Sequence, residues 1–167
     1  MEVLMVCTGN ICRSPMAEGL LRHMLPETWG RDIRVRSAGT HGLDSAPASD
    51  FAIQAAAELG VDIGGHRARS LDPEMVSRAD LILVMEPFHR EIVARAVPSE
   101  EKSRVRLLTD FERPRQSDTI DDPYQHPLED YRICVRRIRQ CLEGVVRHLA
   151  SERQHRPGFH HNKDRNQ

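Results

Sequence analysis

Leu81-Ile82-Leu83-Val84-Met85 is a run of five apolar residues with no polar position inside it. Such a run is too short for a buried helix. Apolarity without alternation marks a strand covered on both faces, as in a parallel sheet held between helical layers. Val3-Leu4-Met5-Val6 has the same character near the start of the chain. Ile33-Arg34-Val35-Arg36 alternates and then breaks at Ser37-Ala38-Gly39-Thr40, so a second strand is expected to end in a small-residue loop there. Val105-Arg106-Leu107-Leu108 is a weaker fourth strand.

Helical patterns separate these runs. Met16, Leu20, Leu21, Met24 and Leu25 recur at helical spacing from Ser14-Pro15 onward, with Pro26 and Gly30 as stops. Glu18 is read as complementing the positive end of that helix. Residues 48–59 form an alanine-rich helix closed by Gly60, residues 72–77 a short one and residues 87–97 another. Tyr131, Cys134, Val135, Ile138, Cys141, Leu142, Val145, Val146 and Leu149 mark a long helix with one apolar face. Strand and helix in alternation imply an α/β fold, a doubly wound, four-stranded parallel sheet with helices on both faces. In such sheets ligands lie outside the carboxyl ends of the strands. Residues 1–150 read as one domain. Residues 151–167, rich in Arg, His, Gln and Asn, read as a mobile polar tail whose His155, His160 and His161 have no role in the chemistry.

Composition removes several functions. Lys plus Arg number 24 against 25 Asp plus Glu, a net charge of -1, which lacks the basic excess of a nucleic-acid binder. No apolar run approaches the ~18 residues of a membrane span, and nothing at the N-terminus resembles a signal peptide. Cys134 and Cys141 lie two helical turns apart, too far for a bridge, and are read as buried hydrophobes. A reducing, cytoplasmic location follows as an expectation.

The first strand leads into Cys7-Thr8-Gly9-Asn10-Ile11-Cys12-Arg13-Ser14-Pro15, a tight turn that opens into a helix N-terminus. Successive backbone N–H groups at such a turn cradle an anion, and Arg13 adds a fork suited to phosphate oxygens. The same helix end and Arg13 favour a thiolate at Cys7. A thiolate in a phosphate-shaped cradle can attack phosphorus and hold it as a cysteinyl phosphate. The glycine-rich dinucleotide and nucleotide-triphosphate loops are absent, and no metal-ligand set is present.

These nine residues resemble the signature loop of the low-molecular-weight protein tyrosine phosphatases. The resemblance extends through Ser37-Ala38-Gly39-Thr40, Gly65-His66, Ala68-Arg69, residues 80–85 and Asp122-Pro123-Tyr124. It implies a phosphatase with Cys7 as nucleophile. Arg13 and the loop of Thr8, Gly9, Asn10, Ile11, Cys12 and Arg13 would bind phosphate. Ser14 would donate to the Cys7 sulfur, Asn10 would take a left-handed backbone conformation, and Ser37 and His66 would hydrogen-bond Asn10. Asp122 would be the general acid and base; Asp121 stands beside it, and only the resemblance decides between them. Cys12 either fills space or pairs with Cys7 under oxidants.

The implied substrate is a phosphotyrosine-containing protein, such as a bacterial tyrosine kinase, with no cofactor, nucleic acid or membrane involved. Ile11 is bulky where phosphoarginine phosphatases of this family carry a small polar residue, which favours phosphotyrosine. Tyr124 offers one aromatic wall, while His41 and Leu43 stand where many relatives place a ring. A thiol-dependent arsenate reductase shares the fold, but its mid-chain relay cysteines are missing. A non-catalytic phosphate-binding module would need neither Cys7 nor Asp122.

Overall fold

Over residues 1–155, which the computed structural model describes, strands and helices alternate as the pattern demands. The order is β1 (Glu2–Cys7), α1 (Arg13–Met24), β2 (Arg34–Gly39), α2 (Asp50–Ala57), α3 (Pro73–Arg78), β3 (Leu81–Val84), α4 (Pro87–Ala94), β4 (Val105–Leu107) and α5 (Leu128–His155), with short 3-10 turns at Glu27–Trp29, Ser99–Arg104 and Leu108–Phe111. All pairings are parallel, and the sheet runs β2-β1-β3-β4. This is the doubly wound, flavodoxin-like arrangement, whose strand order reverses between β1 and β3. The carboxyl ends of those two strands therefore flank the natural crevice, and Cys7 stands at one of them.

Pleating sorts the apolar runs into two cores. Val3, Met5, Leu81 and Leu83 face α1, α2 and α5, while Leu4, Val6, Ile82 and Val84 face α3 and α4. Each strand supplies both layers, so polar residues are excluded from the whole run. Local chemistry sets some of the ends. Asp72 caps α3 by accepting the Met75 N–H at 2.8 Å, and Pro73 follows it in the first turn, where its missing N–H costs nothing. Ala52, Ala55 and Ala56 form the buried stripe of α2.

Three expectations need correction. β2 does not end at Arg36 but continues through Ser37-Ala38-Gly39, in register with Met5, Val6 and Cys7 of β1. Gly39 at its end is small because the loop after β1 crosses it. A Cβ on Gly39 would lie 2.3 Å from the Thr8 carbonyl oxygen. Glu18 lies beyond the first turn of α1, too far in to serve the helix dipole; it is buried and reaches Ser37 instead. Finally α5 runs on to His155, through the first five residues assigned to the tail. Arg153 accounts for this, because it pairs with Asp32 at 2.9 Å and its guanidinium lies 5.1 Å over the Trp29 ring. The remainder of the expected tail, with His160 and His161, lies outside the described residues.

Cys134 and Cys141 are buried on the apolar face of α5, as their spacing implies. Among the described residues no helix is long and apolar enough to cross a membrane.

Candidate active site

Residues 8–12 turn their carbonyls outward. Thr8, Gly9 and Ile11 accept from the N–H groups of His41, Leu43 and Ser49 at 2.8–3.1 Å, Cys12 accepts from Met16 at 3.2 Å, and the Asn10 carbonyl accepts from His66 Nε2 at 2.7 Å. The N–H groups of Gly9, Asn10, Ile11 and Cys12 find no protein acceptor among the described residues, which leaves them for a guest on the concave side. Asn10 closes the turn at φ 56°, the left-handed conformation expected of it.

A one-way hydrogen-bond chain lies behind the loop. The Glu18 carboxylate can only accept, so the Ser37 hydroxyl donates to it. Ser37 Oγ then accepts from Asn10 Nδ2 at 2.9 Å, and the second hydrogen of the same amide goes to Ser14 Oγ at 2.8 Å. Ser14 is left with its own proton to donate to Cys7 Sγ, 2.9 Å away. Direction matters here, because a donor stabilises a negative sulfur and an acceptor would not. The other end of the Asn10 side chain accepts the Arg69 backbone N–H at 2.9 Å, so the amide cannot flip. Glu18 is held in turn by Arg22 at 2.6 Å.

Arg13 is 1 % exposed and presents one edge to the cavity. Its NH1 donates to Glu86 and, at 2.9 Å, to the Ile120 carbonyl, while NH2 donates to Asp122 Oδ2 at 2.7 Å. Nε has no partner among the described residues. With four hydrogens on NH1 and NH2 and three of them used, Nε–H and one NH2 hydrogen remain for an oxyanion. Burial alone would lower the basicity of this guanidinium, but the Glu86 hydrogen bond and the charge of Asp122 more than offset it and hold Arg13 charged.

Cys7, Thr8, Gly9, Ile11, Cys12, Arg13, His41, Leu43, Asp122 and Tyr124 line a single cavity of about 180 Å³. The loop residues and the expected wall thus meet, with Ile11, Leu43 and Tyr124 as its apolar side. Asn10, Ser14, Ser37 and His66 stand behind it as supports. Asp122, not Asp121, points at Arg13, and its other oxygen accepts the Tyr124 N–H at 3.2 Å. Cys12 lies beneath, 3.2 Å from Ser49 Oγ and 3.5 Å from the Tyr131 hydroxyl, and burial raises its pKa so that it stays a thiol. His66 is held neutral chiefly by burial.

Sequence reasoning passed over Glu86 and His89, and gave Glu18 to the helix dipole instead of to Ser37. Glu86 carried a signal, since it directly follows the apolar run of residues 81–85, at the carboxyl end of the sheet where ligands bind. His89 carried none. It is fully buried on α4 with Nε2 at 2.9 Å from Thr8 Oγ1. Burial first, then the charges of Arg13 and His41, push its pKa down to about 3. The unfolded chain binds a proton here at about pH 6.5, so unfolding takes up a proton between those values and stability rises with pH across that window. Lowering the pH from about 6.5 to 4 is expected to cost the wild type roughly 2–3 kcal/mol more than His89→Gln, read from denaturant midpoints. Parallel curves for the two proteins would refute a neutral buried His89.

Residues 2–155 match the family model described as low molecular weight phosphotyrosine protein phosphatase. A probable low molecular weight protein-tyrosine-phosphatase EpsP of Ralstonia nicotianae is 39% identical over 146 residues, 86% of this chain and 92% of the relative. The low molecular weight protein-tyrosine-phosphatase Etp of Escherichia coli is 42% identical over 124 residues, 74% of this chain and 78% of the relative. Among solved structures, the YwlE arginine phosphatase of Geobacillus stearothermophilus superposes with a TM-score of 0.81 at 30% identity, covering 95% of this chain and 99% of the other.

Proposed function

The chain belongs to the low molecular weight phosphotyrosine protein phosphatase family, and we propose that it hydrolyses phosphotyrosine in proteins through a cysteinyl-phosphate intermediate on Cys7. It is a protein tyrosine phosphatase, a phosphoric monoester hydrolase. The observation that carries the mechanism is the convergence of Cys7, Arg13 and Asp122 on one cavity, with a Ser14 proton whose one acceptor among the described residues is the sulfur.

The phosphoryl oxygens of the substrate sit among the loop N–H groups and the free edge of Arg13. The Cys7 thiolate attacks phosphorus, the bond to the phenolic oxygen breaks, and Asp122 gives that oxygen its proton. Charge building on the equatorial oxygens is met by donors already in place. Asp122, now a carboxylate, takes a proton from a water that attacks the cysteinyl phosphate. Inorganic phosphate leaves, and the thiolate is regenerated with the Ser14 hydroxyl still donating to it.

Ile11, Leu43 and Tyr124 line the mouth and suit a flat phenyl ring better than a guanidinium. Phosphotyrosine is therefore favoured over phosphoarginine, despite the structural likeness to an arginine phosphatase. Cys134 and Cys141 are buried in α5, so neither is placed as an accessible relay thiol for arsenate reduction. A bacterial tyrosine kinase is the protein substrate we propose, in a cytoplasmic setting that four unpaired thiols suit. Turnover in EDTA of a phosphotyrosine peptide and a phosphoarginine peptide of the same sequence tests the reading. The tyrosine peptide is expected to win by at least about tenfold in kcat/KM, the discrimination of one well-fitted apolar pocket. A preference for phosphoarginine would overturn the substrate assignment, and a requirement for divalent metal the mechanism.

A further inference from the structure

Among the described residues the Thr8 hydroxyl has one partner, His89 Nε2 at 2.9 Å. His89 is fully buried, and its Nδ1 has no partner among the described residues. A neutral imidazole carries one proton, so two arrangements are open. If the Thr8 hydroxyl donates, the ring proton sits on Nδ1 as a buried N–H with no acceptor. If Nε2 carries the proton, the ring donates to Thr8 Oγ1 and Nδ1 keeps only an unused lone pair. Orphaned donors are rarer in folded proteins than under-used acceptors, so the second arrangement is the stable one. It leaves the Thr8 hydroxyl proton uncommitted, with no acceptor for it among the described residues. Thr8 lines the same cavity as Cys7 and Arg13.

We infer that the Thr8 side chain donates a hydrogen bond to the phosphoryl group held in the loop, and that His89 is the positioning residue that turns it there. Thr8 thus adds its hydroxyl to the backbone cradle. The inference rests on the phosphatase reading of the site. The ring suits this task because it stays neutral beside Arg13, held so by burial and by the charges of Arg13 and His41. It can therefore fix the hydroxyl at any working pH without adding a second charge to the site. His89 acts only through Thr8 and touches no substrate atom.

The experiment is a comparison of Thr8→Val, Thr8→Ser, His89→Gln, His89→Phe and the Thr8→Val/His89→Phe double variant. Each is assayed for kcat/KM with p-nitrophenyl phosphate and for the inhibition constant of inorganic phosphate, with thermal unfolding alongside. Thr8→Val keeps the shape without the hydroxyl, and is expected to lose about 10- to 150-fold in both quantities, the scale of one hydrogen bond to a charged group. Thr8→Ser restores most of the loss. His89→Gln, whose amide can donate in place of Nε2, falls between wild type and His89→Phe. The double variant is expected to be no worse than Thr8→Val, because the two residues act as one unit. Phosphate affinity and turnover in Thr8→Val equal to wild type would overturn the inference while leaving the phosphatase reading intact, and so would losses that multiply in the double variant. A wild-type protein without turnover would overturn both.

Discussion

Replacing Cys7 with serine is expected to lower turnover of aryl phosphates by at least about 10³-fold, with the fold and phosphate binding retained. The size of the effect follows from what surrounds the side chain. A serine hydroxyl needs a base to become a nucleophile at neutral pH, whereas a thiol needs only donors that favour its anion. Among the described residues the one side chain in hydrogen-bond contact with Cys7 is Ser14, whose oxygen already accepts from Asn10 Nδ2. Its remaining function is to donate. A serine at position 7 would face a donor and no base, so the hydrogen-bond chain that serves the thiolate cannot activate its replacement. Binding should survive, because the loop N–H groups and the free edge of Arg13 belong to other residues. Inorganic phosphate titrated into the variant, followed by 31P line broadening, separates binding from chemistry. Turnover of p-nitrophenyl phosphate by Cys7→Ser within tenfold of wild type would end the case for a cysteinyl phosphate.

What the chain discloses before folding depends on how local the cause is. β1 and β3 are legible because burial on both faces removes every polar residue from them. The last half of β2 is not, since Gly39 leaves room for the Thr8 carbonyl and Ser37 links Glu18 to Asn10, contacts that no local pattern reports. The end of α5 was misplaced for a related reason. Its last turn is polar in composition, yet Arg153 ties it to Asp32 and Trp29 over a hundred residues away. The site divides in the same manner. Seven consecutive residues carry the nucleophile, the cradle and the guanidinium, and these could be read from spacing. Glu86 and His89 reach the loop from the N-cap and the body of α4, and Glu18 through Ser37 of β2, so their roles exist only once the sheet has formed. Asp121 and Asp122 are alike in sequence, and only the path of the loop turns one of them toward Arg13.

That path makes Asp122→Ala the second large effect, one whose size depends on the leaving group. In the unliganded site the Asp122 carboxylate is paired with Arg13 NH2 at 2.7 Å, while Glu86 holds the other side of the guanidinium. An incoming phosphate dianion takes the two hydrogens of Arg13 that are still free, on Nε and NH2, and so lies next to Asp122, the one carboxyl group that lines the cavity among the described residues. Phenolate leaves slowly without a proton and p-nitrophenolate leaves well without one. The quantity kcat/KM reports events up to cleavage of that bond, so it isolates the acid step from the later hydrolysis of the cysteinyl phosphate. For phenyl phosphate and phosphotyrosine, kcat/KM is expected to fall about 10²- to 10⁴-fold in Asp122→Ala, the range of general acid catalysis, and for p-nitrophenyl phosphate far less. Phosphate affinity should hold or improve, because the variant removes a negative charge beside the bound dianion, whereas loss of a merely structural ion pair would weaken binding and act equally on every substrate. A uniform loss across leaving groups would remove Asp122 from the acid role, and the same series on Asp121→Ala would then show whether its neighbour holds it.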